Sequence, residues 1–98
     1  MNKIEAMARL RAHAGAMKAL GATSLYLFGS VARDESRAGS DLDLFIDYDQ
    51  DGKFNAFDLV GIKQYLEQNL GTEVDVTTRD SLHPMLRAEI EKSAVRVF

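Results

Sequence analysis

"LFGSVARDESRAGSDLDLFID", residues 27–47, decides the fold of this chain. An apolar, strand-like run ends in Gly29-Ser30. Ten residues follow, and a second strand-like run opens with Asp41-Leu42-Asp43. Successive side chains on a strand point to opposite faces. In "DLDLFIDY" (41–48), Leu42, Leu44 and Ile46 therefore face one way, and Asp41, Asp43, Phe45 and Asp47 the other. Carboxylates set among core residues either sit at a solvated strand end or hold something positively charged.

Working outward, "SLYLF" (24–28) reads as a short apolar strand, and "VARDESR" (31–37) as a two-turn helix closed by Ala38-Gly39. Upstream, Ile4, Met7, Leu10, Ala14, Met17 and Leu20 recur at helical spacing, with Gly21 as the stop. Downstream, a polar loop (49–53) leads to a helix over about 55–70 carrying Phe57, Val60, Leu66 and Leu70, ended by Gly71. "EVDVTT" (73–78) is a third strand. A further helix is expected over about 81–94, with Pro84 in its first turn, and "VRVF" closes the chain as an edge strand. The order αβαβαβα plus a terminal strand defines one α/β (α+β) domain over 1–98, a small mixed sheet with flanking helices.

Composition narrows the function. The 98 residues are 46% hydrophobic and 28% charged, the balance of a folded globular chain. Cysteine is absent, which excludes disulfides and thiolate metal sites. No apolar run approaches the roughly 18 to 20 residues of a membrane span. The start, "MNKIEAMARLRAHAGAMKAL", lacks the apolar block of a secretory signal, so a cytoplasmic protein is expected. A net charge of −3 without a Lys/Arg block argues against direct nucleic-acid binding on a broad basic surface.

Connection lengths set the geometry. If the first two strands, joined through one short helix, pair antiparallel, Ser30 lies beside Asp41 and Asp43. A long helix between the second and third suits parallel pairing, so Asp75 faces Asp41 and Asp43 while Val74 and Val76 enter the core. Three carboxylates beside a Gly-Ser turn suit Mg²⁺, which commonly takes one or two carboxylates together with substrate phosphates. Gly29 permits close backbone approach, and the helix opened by Ser30 favours phosphate. These features describe a nucleoside triphosphate held for phosphoryl or nucleotidyl transfer, with two metal ions able to clamp the attacking and leaving oxygens. No Walker Gly-Lys-Ser/Thr occurs.

Gly29-Ser30, ten residues and Asp41-Leu42-Asp43 resemble the signature of the DNA polymerase β-like nucleotidyltransferase superfamily. The fuller string, with "EVDVTT" and the ending "LHPMLRAEIEKSAVRVF", is similar to the minimal nucleotidyltransferases, the MntA-type antitoxins paired with HEPN-domain toxins. The resemblance covers essentially the whole chain. It implies that Gly29 and Ser30, with Arg33 and Ser40, hold the nucleotide. It further implies that Asp41 and Asp43 bind metal, and that Asp75 is a third metal-site carboxylate that deprotonates or orients the attacking hydroxyl. The implied activity is transfer of AMP from ATP to a tyrosine of the partner toxin, which silences its ribonuclease. One departure is Asp34, where relatives often carry glycine.

Length points to the same partnership. Nearly every residue is needed for the sheet and its cover, so another protein is expected to bring the acceptor. A different class of function is a binding-only antitoxin with a relic pocket; three converging carboxylates favour the enzyme. Transfer to a small molecule or RNA suits neither the size nor the acidity. "DYDQDGKFNAFD" (47–58) matches a calcium loop at Asp47, Asp49, Asp51, Gly52 and Asp58, but position 12 is Asp, no second copy exists, and Asp47 already ends a strand. Arg33 either reaches the triphosphate or pairs with Asp34, Glu35 or Asp41. His13 and His83 lack metal-ligand partners and read as surface or capping residues. Met7 and Met17 read as core or a partner-facing surface.

Overall fold

The structure, a computed structural model, describes residues 1–35 and 41–98. Among the described residues, four strands form one sheet in the order β3-β2-β1-β4. Strand β1 (Ala22–Phe28) pairs antiparallel with β2 (Leu42–Tyr48), which pairs parallel with β3 (Val74–Thr78). Strand β4 is only Val95–Arg96 and lies antiparallel against the outer edge of β1. The helices are α1 (Lys3–Ala12), α2 (Ala14–Ala19), α3 (Gly29–Ala32), α4 (Ala56–Leu70) and α5 (Arg87–Ser93). This is the mixed sheet with helical cover expected from the connection lengths, the long α4 crossover imposing the parallel pair.

Strand alternation sorts the sheet into two faces. Leu25, Leu27, Leu42, Leu44, Ile46, Val74 and Val76 join Leu10, Met17, Ile62 and Leu66 of the helices in the main core. On the opposite face Tyr26 and Phe45 are cross-strand partners with rings stacked 4.8 Å apart. The Arg79 guanidinium covers both rings, 4.8 Å and 5.0 Å from their centroids. It also grips Asp47 through two hydrogen bonds (2.8 and 3.0 Å) and Glu91 of α5 through a third (2.7 Å). Cation–π contact and a bidentate ion pair thus clamp α5 onto the sheet.

Several elements depart from the sequence expectation. The first apolar stripe breaks at His13, which ends α1; its Nδ1 lies 2.7 Å from the Tyr65 hydroxyl, and the chain restarts as α2. Ile4 is 82% exposed and Leu20 also faces solvent, so Ala6, Met7, Leu10 and Met17 form the buried side. On α4, Phe57 and Val60 are exposed while Ile62, Leu66 and Leu70 are buried. That helix begins at a reciprocal cap: Asn55 Oδ1 accepts from the Asp58 amide, and Asp58 Oδ2 accepts from the Asn55 amide. The helix expected over 81–94 starts only at Arg87. A 3₁₀ turn (Arg79–Ser81) and a turn closed by Leu86 N–H to His83 O precede it, because His83 stands before Pro84, where helical backbone is disfavoured.

Candidate active site

The turn after β1 creates the site. Gly29 has φ +75°, a left-handed conformation that side-chain-bearing residues rarely adopt. A Cβ at this position would collide with the Asp43 carboxylate, so glycine is required twice over. The following helix is a single turn, α3, shorter than the expected 31–37 helix; Ser36 and Arg37 lie outside the described residues. It closes as the Arg33 and Glu35 amides donate to the carbonyls of Gly29 and Ser30. Asp34 then takes φ +56°, and its Oδ1 accepts from the Lys3 amide at 3.3 Å. A left-handed backbone explains why glycine suits this position. Aspartate tolerates it at some cost and gains a contact to the start of α1.

The strands bring the carboxylates together as their register dictates. Phe28 is opposite Asp43, and Asp43 is opposite Asp75. Asp41 stands just before β2 and is exposed, as is Asp75, whereas Asp43 is half-buried. Burial pushes the Asp43 carboxyl above its ordinary value. The charges of Asp75 and Asp41 push it further, and Arg33 opposes them. Each aspartate thus acts electrostatically on the middle one.

The donor set is all oxygen, and the mutual repulsion at Asp43 is what a hard cation would relieve, so the residues fit Mg²⁺. Among the described residues, no group of three or more acidic or histidine side chains is disposed to hold a metal on its own.

Arg33 forms an ion pair with Glu35 at 3.0 Å, both half exposed, one of the two outcomes anticipated for it. Ser40 lies outside the described residues. A cleft of about 610 Å³ opens beside Gly29, lined by Phe28 and Arg33 and by Glu89, Ile90, Lys92 and Ser93 of α5; Asp41, Asp43 and Asp75 are not part of its lining. No motif marked these α5 residues. They reach the turn because Arg79 holds Glu91 of α5 and α5 leads into β4, whose Val95 pairs with Leu27. A second cleft, of about 420 Å³ against Tyr48, Phe54 and Asp80, includes neither Gly29 nor any of the three carboxylates.

The calcium-loop geometry is absent from 47–58. Asp47 is committed to Arg79, Asp58 to the α4 cap, and Asp49 Oδ1 accepts from the Asp51 amide. His13 bridges to Tyr65, 52 residues away, and the His83 ring accepts from the Met85 amide at 3.2 Å, both structural roles. Among the described residues, no helix is long and apolar enough to cross a membrane.

A glycine turn, paired strand carboxylates and a small mixed sheet define the class of enzymes that transfer nucleotidyl groups. The nucleotidyltransferase-domain family matches residues 10–97, and the chain belongs to that family. It is 44% identical over 72 residues to a Methanocaldococcus jannaschii protein with the provisional name protein adenylyltransferase MJ0435, covering 74% of this chain and 75% of that one. Identity to the protein adenylyltransferase MntA of Thermococcus cleftensis is 29% over 77 residues, covering 79% and 76% of the two chains. A solved structure of a provisionally identified minimal nucleotidyltransferase matches with TM-score 0.83 and 34% identity, over 97% of this chain and 95% of that one. The fold is also shared, at TM-score 0.65 and 15% identity, with a chain from a complex of tri-AMPylated Shewanella oneidensis HEPN toxin and MNT antitoxin. That match covers 90% of this chain and 68% of the other.

Proposed function

We propose that this nucleotidyltransferase moves AMP from ATP to a hydroxyl, a tyrosine, of a partner HEPN-domain toxin in the cytoplasm and so acts as an antitoxin. The in-register pairing of Asp43 with Asp75 beside the Gly29 turn carries the reading. The adenylyltransferase names of its relatives support the reaction, and the AMPylated-toxin complex of a fold neighbour supports the partner. In this reading Gly29 and Ser30, with Arg33 and Ser40, hold the triphosphate, and Asp41, Asp43 and Asp75 hold Mg²⁺. When bound, the metal supplies positive charge that offsets the negative charge of the reacting phosphates. Asp75 accepts or orients the proton of the attacking hydroxyl. The hydroxyl oxygen bonds to the α-phosphorus, the α–β phosphoanhydride bond breaks, and pyrophosphate leaves.

The intact mass of a co-expressed HEPN partner, before and after incubation with ATP and Mg²⁺, tests this directly. Whole adenylyl increments are expected with the wild-type chain and none with Asp41→Asn/Asp43→Asn. An unchanged partner mass with the wild-type chain overturns the proposal.

A further inference from the structure

The three carboxylates pose a problem for any polyphosphate that approaches them. The chain is net acidic, and Asp41 and Asp75 act on Asp43 as like charges that Arg33 opposes. A bound triphosphate therefore gains from further cationic side chains, and several arginines are already paired. Arg79 is shared between Asp47 and Glu91, Arg87 is bound to Glu91 at 2.9 Å, and Arg33 is paired with Glu35. Lys92 is different. It lines the cleft beside Gly29, is exposed, and forms no ion pair among the described residues, even with Glu89 one turn earlier on α5.

We propose that Lys92, across the cleft from the Gly29 turn, is a nucleotide-contacting residue whose ammonium meets the polyphosphate of the bound nucleoside triphosphate. The inference rests on the reading of that turn as the nucleotide site. An ammonium on a flexible stem suits a mobile polyphosphate, because it acts as a point charge with three donors and needs no fixed fork geometry. Its position in the last turn of α5 also sets positive charge at the negative end of the helix, so its placement costs the helix nothing. The assignment gives α5, which carries no motif, a part in substrate binding.

Binding of Mg·ATP and of Mg·AMP to wild type, Lys92→Ala, Lys92→Arg and Asp43→Asn, followed by calorimetry, tests the assignment. Lys92 is exposed and forms no ion pair among the described residues, so Lys92→Ala should melt like wild type without nucleotide. Loss of a hydrogen bond to a charged group should weaken ATP about tenfold, leave AMP within about twofold, and be largely restored by Lys92→Arg. Unchanged ATP affinity in Lys92→Ala overturns the inference while leaving the nucleotide site standing. An equal loss for AMP overturns the polyphosphate contact. Wild-type protein that binds no ATP removes the reading of the site and this inference with it.

Discussion

Gly29 and Asp43 occupy adjoining space so closely that a methyl group on residue 29 would meet the Asp43 carboxylate. The glycine is thus both a backbone requirement and a seat for an acid. Gly29→Ala should lose about 2 kcal/mol or more, from the left-handed backbone together with displacement of Asp43. Chemical denaturation of a double-mutant cycle separates the two parts. In an Asp43→Ala background the clash with the carboxylate goes and only the tight contact with the Cβ of residue 43 remains, so the cost of Gly29→Ala should fall by about 0.5 kcal/mol or more. Strict additivity would show that the two residues do not compete for space.

Asp43 also predicts a pH dependence. Its carboxyl is raised in the folded protein, chiefly by burial and then by Asp75 and Asp41. The folded chain therefore holds its proton more tightly than the unfolded chain, whose carboxyl titrates near 3.8. Stability falls as pH rises from that value through the folded one, and the penalty is complete above it. Asp43→Asn should raise the melting temperature at neutral pH in chelator, with the gain vanishing below the unfolded carboxyl's titration. A gain that persists undiminished in acid would assign it to something other than charge.

The Asp41→Asn/Asp43→Asn variant keeps side-chain size and removes charge. The fold should survive. Transfer should slow by on the order of 10²-fold or more, the usual effect of losing electrostatic stabilisation of transferring groups. Partner binding, measured by co-purification, should persist. Protection of cells equal to wild type would show that neutralisation works by covering the toxin, the binding-only alternative.

Arg79 joins three elements, so its replacement should be felt beyond the loss of one ion pair. Arg79→Lys keeps the charge but loses the two-pronged grip on Asp47 and the stack over Tyr26 and Phe45. A destabilisation of about 2 kcal/mol is expected for a partly exposed network of this kind. Thermal unfolding measures it, and a value near zero would reduce the hub to a surface ion pair.

Asp34 can be read against its backbone. Asp34→Ala retains the left-handed cost and discards the bond to the Lys3 amide, whereas Asp34→Gly discards the bond but relieves the cost. Glycine should be the more stable replacement by about 1 kcal/mol. Equal melting temperatures would contradict the strained geometry.

The sheet and the acidic site were legible because they depend on local periodicity and connection length. The α4 crossover argues for the parallel pair, in which the structure sets Asp43 opposite Asp75, whereas from sequence the antiparallel direction of β1 and β2 is only a condition. Helix ends were less legible. The break at His13 follows from a partner, Tyr65, that is distant in sequence, and the delayed start of α5 follows from Pro84 acting on His83. The exposure of Phe57 and Val60 is equally invisible to spacing, since an apolar stripe does not reveal how wide a face the sheet covers. Lys92 carries no local signal at all; the pairing of β4 with β1 and the Arg79–Glu91 contact bring it to the turn.

The seven-residue helix α5 contains no fully buried side chain, and a two-residue strand follows it. Its attachment rests largely on the Arg79–Glu91 clamp, whereas β1 and β2 are anchored through the core. The two walls of the cleft therefore differ in local stability, one rigid and one able to open without global unfolding. Amide exchange should be much faster along 87–93 than along 42–48 and should slow in α5 when Mg·ATP is added. Nucleotide affinity then includes the free energy of ordering this wall, so substitutions at Arg79 or Glu91, remote from any phosphate, should weaken binding by loosening the helix that closes over it.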